Sequence, residues 1–287
     1  MSASLDEIVK DINDLVSLPG VFVRVNEMVN DPQCSMTKVG EVISQDPGLT
    51  MRVLRMANSP AYGISKEIDS VAKAVTIIGT ERVRDIALAT SAVETFDGIP
   101  NDLVSMDDFW MHSIYCAIIA KYLGEKAKLK NPDGLFVAGL LHDIGQLVLF
   151  KELPELSRTC LEYILDDTEN TELQNVEQEL IGFDHAMVGS ALAEVWQLTP
   201  MLVEVIGAHH DIQRAKTYQQ ESAIVKIANS LAVMAELNAT DIEETDAAIL
   251  TDEDWCTANI VPDIIKEALE HAHTTYKEVQ NLLMAKP

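Results

Sequence analysis

His142 and Asp143 stand side by side in Gly139-Leu-Leu-His-Asp-Ile-Gly145, and His112, His185, His209 and His210 flank them along the chain. An imidazole and a carboxylate adjacent on one helix can reach a common cation. Histidines from other helices then complete its shell, as in helical bundles that carry metal. Taken singly, each of these histidines reads as a core residue hydrogen-bonded to its surroundings. Several nitrogen and oxygen ligands together are the signature of Zn, Fe or Mn, and that chemistry is the expectation for His112, His142, Asp143, His185, His209 and His210. The chain has seven histidines. The remaining two, His271 and His273, read as surface residues of a terminal helix.

These side chains must be brought together by helices. Asp46-Pro47, Asn131-Pro132 and Thr199-Pro200 each pair an N-cap with a proline at the first helical position, and Ser4, Ser35, Ser70 and Asp184 offer further caps. The helix capped by Asn131 is expected to carry both His142 and Asp143, about 100° apart around its axis. Asp108 lies one turn before His112 and reads as an exposed acid at a helix N-terminus. The turn-forming cluster Asp97–Asp102 is expected to separate an N-terminal helical lobe, 1–97, from a second lobe, 98–287. The acidic stretch 238–254 reads as a loop before a last helix near 261–284. Repeats and alternating strand patterns are absent, so the expected class is all-α, with about a dozen helices or slightly more.

Composition narrows the functional classes. The net charge of −25 makes nucleic-acid binding a poor expectation, because that binding depends on Lys and Arg neutralising phosphates. Arg52 and Arg55 read as a solvated, locally paired face. Four cysteines without a CxxC pair read as reduced thiols. The N-terminus lacks the apolar core of a secretion signal, and no apolar run is expected to reach the roughly 18 residues of a membrane span. The expected setting is the cytoplasm. Nucleotide-binding glycine loops and the serine-hydrolase Gly-x-Ser-x-Gly motif are absent.

Several blocks in order resemble one family. Leu18-Pro-Gly, Val42-Ile-Ser-Gln-Asp-Pro-Gly-Leu49, Val53-Leu-Arg-Met-Ala-Asn-Ser59 and Ala74-Val-Thr-Ile-Ile-Gly79 come first. Gly139–Gly145, Leu180–Gly189, Trp196–Pro200 and Ala208-His-His210 follow. Together they resemble the HDOD family, a branch of the HD superfamily of metal-dependent phosphohydrolases, over residues 11–212. The resemblance implies a helical fold with an N-terminal lobe and an HD-like lobe. It also implies a bacterial signalling or regulatory role through a protein partner, and one or two divalent ions (Fe, Mn, Zn or Mg) held by the six residues above. Hydrolysis of a nucleotide or phosphodiester is the alternative that it offers. Two departures weigh against hydrolysis. Asn229 stands where the superfamily has a late Asp ligand, and Gln146 where the phosphodiesterase branch has a Lys. An amide brings no charge to a dication, and Gln146 cannot set a positive charge against phosphoryl oxygens. No residue is therefore assigned a catalytic role.

Overall fold

The computed structural model describes Leu5, Ile8 and residues 17–59, 67–96, 103–166, 171–239 and 250–284, apart from Pro32. The expected cap at Ser4, the loop 60–63 and the turn cluster Asp97–Asp102 lie outside the described residues. Among the described residues the regular elements are helices and no strand occurs, so the all-α expectation holds. Contacts divide the chain into two units, 18–98 with 271–287, and 99–270 with 1–17.

The first unit contains α1 (Gly20–Asn30), α2 (Met36–Ser44), α3 (Pro47–Ala57), α4 (Val71–Ile78) and α5 (Thr80–Phe96). The caps read from the sequence are made here: Ser35 accepts from the amide of Lys38, Asp46 from Leu49 and Ser70 from Lys73. Each such cap stabilises its helix by about 1 kcal/mol. The turn between α4 and α5 is taken by Gly79 at φ 88°, a left-handed conformation costly for any residue with a Cβ. Phe22, Val25, Ile43, Leu49, Val53 and Met56 fill the core. Arg84 and Asp85 form a buried pair at 2.7 Å, and Arg52 meets Glu94 at 2.8 Å.

The second unit is built on α6 (Met106–Lys126), α7 (Pro132–Leu141), α8 (Ile144–Glu152), α9 (Pro154–Asp166), α10 (Leu173–Leu180), α11 (His185–Val195), α12 (Pro200–Ala208), α13 (Gln219–Leu237) and α14 (Asp252–Ala258). α6 packs on α7 and α13, and α11 packs on α8 and α12. Every residue of α7 except Pro132 is buried. At about 1.5–3 kcal/mol for each large apolar side chain, this helix is a main source of the unit's stability. α15 (Ile265–Met284) ends the described chain.

Three expectations are corrected. His142 and Asp143 do not share a helix: α7 stops at Leu141, His142 is its C-cap, and Asp143 (φ −96°, ψ 9°) opens α8. Within the acidic stretch, Thr251 and Asp254 form a reciprocal capping box that starts α14. The run Pro132–Glu152 does have the length and hydropathy of a membrane span, yet 94% of its apolar window is buried inside the protein, because it is two core helices in series.

Candidate metal centre

The helix break at His142–Asp143 follows from close packing. A Cβ on Gly139 would lie 2.9 Å from both the Ala117 Cα and the Cys116 carbonyl oxygen of α6. A Cβ on Gly145 would collide with the carbonyl oxygen of His185 and the amide nitrogen of Gly189 on α11. Two glycines six residues apart thus let α7 touch α6 and α8 touch α11, backbone to backbone. Asp143 is left between the two contacts.

Around Asp143 the structure gathers all six residues named from the sequence. Its Oδ2 lies 3.0 Å from His142 Nε2 and 3.7 Å from His112 Nε2. Its Oδ1 lies 3.3 Å from His185 Nε2 and 3.4 Å from His209 Nε2. His210 Nε2 is 2.9 Å from His185 Nε2. The side chains form two groups that share the aspartate: Asp143, His185, His209 and His210, and His112, His142 and Asp143. By contrast, Asp108, His271 and His273 are exposed.

The rings are aimed by their other nitrogens. His142 Nδ1 donates to the Gly139 carbonyl and His209 Nδ1 to the Ile206 carbonyl, each at 2.7 Å and three residues back. His185 is held by Glu177, whose Oε2 accepts both its ring Nδ1–H at 2.6 Å and its backbone N–H at 2.8 Å. His112 Nδ1 donates to Glu236 at 2.6 Å, while its Nε2 lies 2.9 Å from Asn229 Oδ1. Such partners fix the tautomer and orientation of a ligating imidazole. Sequence reading missed Glu177 and Glu236, since an acid on an amphipathic helix carries no local sign that it faces a distant histidine.

Protonation divides the cluster. Burial opposes charge on His142, but the neighbouring Asp143 carboxylate prevails and raises its pKa to about 10. Burial is likewise overridden at His185, by Glu177 and Asp143, again to about 10. His112 is raised too, against its burial, by Glu236 and Asp143. Burial wins at His209, which falls to about 4, and at His210, which falls well below its usual value. Asp143 itself is held well below the usual carboxylate range: burial would raise it, and the surrounding imidazoles more than compensate.

The donor set fits a divalent cation. His142 Nε2, His209 Nε2 and Asp143 Oδ1 are buried and have no aligned hydrogen bond. An orphaned buried polar atom costs about 1–3 kcal/mol, and three pointed into one space want a common partner. Two ligands bound at about 2.1 Å in a tetrahedral shell are about 3.4 Å apart. The separations of 3.3 and 3.4 Å from Asp143 Oδ1 suit that shell.

Comparison with known proteins agrees with the fold. The HDOD domain family matches residues 15–212. A crystal structure from Shewanella amazonensis SB2B, described as a candidate phosphohydrolase, superposes with a TM-score of 0.75 at 25% identity, covering 96% of this chain and 97% of that one. An HDOD domain protein of unknown function from Geobacter sulfurreducens gives 0.75 at 24% identity, with 97% of both chains covered. An uncharacterised protein of Treponema pallidum is 23% identical over 220 residues, which are 76% of this chain. The match spans only 42% of that relative's length.

Proposed function

The chain belongs to the HDOD family, and from that premise we propose that it is a bacterial-type regulatory protein, acting in the cytoplasm through a protein partner and built around a buried divalent-cation centre. Asp143, His185, His209 and His210 would hold the cation, with His142 and His112 beside it. When bound, such an ion supplies a cross-link between α8, α11 and α12, and Lewis acidity toward any phosphoryl oxygen that reaches it. The chain's own residues do the rest: Glu177 and the Gly139 and Ile206 carbonyls orient the rings, and the surrounding apolar helices exclude water.

The observation that carries a binding role over hydrolysis is the burial of the donors. His142 and His209 are fully buried and Asp143 is 7% exposed, which suits a resident ion better than turnover of a phosphodiester. The residue following Gly145 is Gln146, which offers no positive charge to a phosphoryl group. The orphaned donors keep the phosphohydrolase reading as the second choice.

The two separate in one experiment. Protein purified without chelators is analysed for metal, then assayed on bis(p-nitrophenyl) phosphate with added Mn, Fe or Zn. The expected result is bound metal without turnover. Turnover abolished by His142→Ala and Asp143→Ala would overturn the regulatory reading, and absence of metal under every loading condition would overturn the cation centre.

A further inference from the structure

The two groups around Asp143 are unequal. In the His185 group, four donor atoms face one another: Asp143 Oδ1 sits 3.3 and 3.4 Å from the two imidazole nitrogens, and His210 Nε2 is 2.9 Å from His185 Nε2. Two of these four, Asp143 Oδ1 and His209 Nε2, are orphaned. Four is the ligand count of a closed tetrahedral shell.

The His112 group has fewer atoms to give. His142 Nε2 is orphaned and Asp143 Oδ2 stands 3.0 Å from it. The third member, His112, is engaged at both ring nitrogens, by Glu236 and by Asn229. With the amide oxygen toward the ring, Nε2 donates and has no lone pair to offer. With the amide turned over, its NH2 donates to Nε2 and the lone pair is used. In either orientation Asn229 occupies the nitrogen that an ion would need. His185 Nε2 is also engaged, by His210 Nε2 at 2.9 Å, but that neighbour is an imidazole that can itself take the ion, whereas Asn229 sets only an uncharged amide against His112. Within this group His112 Nε2 is 3.7 Å from Asp143 Oδ2, against 3.0 Å for His142 Nε2.

We infer that the centre takes a single divalent ion, in the Asp143–His185–His209–His210 group, and that the Asn229–His112 hydrogen bond closes the second position. His112 is then a positioning residue that ties α6 to α13 beside the centre. The inference rests on the cation reading above and goes beyond it in assigning the number of ions and the bond that closes the second position.

Full-length protein stripped with chelator is titrated with Mn2+ by calorimetry, the bound metal is counted after desalting, and the loaded protein is examined by electron paramagnetic resonance. One ion per chain with an uncoupled Mn2+ spectrum is expected. His112→Ala should leave stoichiometry unchanged and affinity within about threefold. His209→Ala should cost more than the roughly 10–100-fold typical of losing an outer-shell partner. Asn229→Asp should admit a second, spin-coupled ion. Two ions per wild-type chain, or an equal loss in the His112 and His209 variants, would overturn the single-ion assignment while leaving the cation reading intact. No binding at all would overturn both. The wild-type count needs no variant, so a misfolded substitution cannot obscure it.

Discussion

Asp85 in the first unit and Asp143 in the second are both buried acids, but the cations set against them differ in whether they can give up a proton. Asp85 Oδ1 accepts from Nε and Nη2 of Arg84 at 3.0 and 2.7 Å. A guanidinium keeps its proton under all ordinary conditions, so that pair is permanent. Asp143 is ringed by imidazoles, two of which hold protons with pKa values near 10. These protons can leave in exchange for a metal ion. One arrangement is a fixed internal clasp, and the other is an exchangeable site whose charge balance can be met by protons or by a dication.

The sharpest test substitutes the two acids separately. Asp143→Ala should abolish metal binding, a loss of at least about 100-fold that titration calorimetry would read. Asp85→Ala should leave binding unchanged but cost about 3–5 kcal/mol in urea denaturation, because it leaves a buried guanidinium uncompensated. Metal loss in the Asp85 variant at temperatures where it is still folded would break the contrast. Next in size, Glu177→Ala should weaken metal binding about 10–100-fold, with Glu177→Gln retaining part of it, since the amide can still accept from His185.

The exchange of protons for metal gives a third, smaller effect. At pH 7 the ion-free protein holds the extra proton of His185, a proposed ligand whose pKa is raised to about 10. Metal can take a ring nitrogen only after its proton leaves, so affinity should fall as pH falls below 10 and binding should release protons. Calorimetry in buffers of different ionisation enthalpy would count them, and zero release would remove the basis of the contrast. The smallest effect concerns a third acid, Asp254, paired with Lys226 at 2.9 Å. Burial would raise its pKa, but the Thr251 amide and Lys226 lower it. Its contribution is therefore present above the unfolded value of 3.8 and is lost as pH falls through the depressed folded value. Thr251→Ala should cost about 1 kcal/mol by removing the cap, measurable by thermal denaturation.

Local chemistry made much of the fold legible. Asp46, Ser70, Asn131, Asp184 and Thr199 all cap the helices that their sequence neighbours suggest, because a cap needs only residues two or three positions on. The break between α7 and α8 was not legible: 132–152 is largely apolar, and the break falls between the close contact of α7 with α6 and that of α8 with α11. The capping box at Thr251 and Asp254 was present in the sequence but hidden among other acids. The six histidine and aspartate residues could be named from type and resemblance. Glu177 and Glu236 could not, since their partners are 8 and 124 residues away.

Gly145 extends the point from this chain to others. It touches no ion and contributes no donor, yet it sets how close the backbone bearing Asp143 comes to the backbone bearing His185. A chain with all six donors but a larger residue at this position would be a counterfeit of the centre, complete in inventory and wrong in spacing. In screening sequences for working versions of this site, the hydrogen atom at position 145 is the watermark to look for.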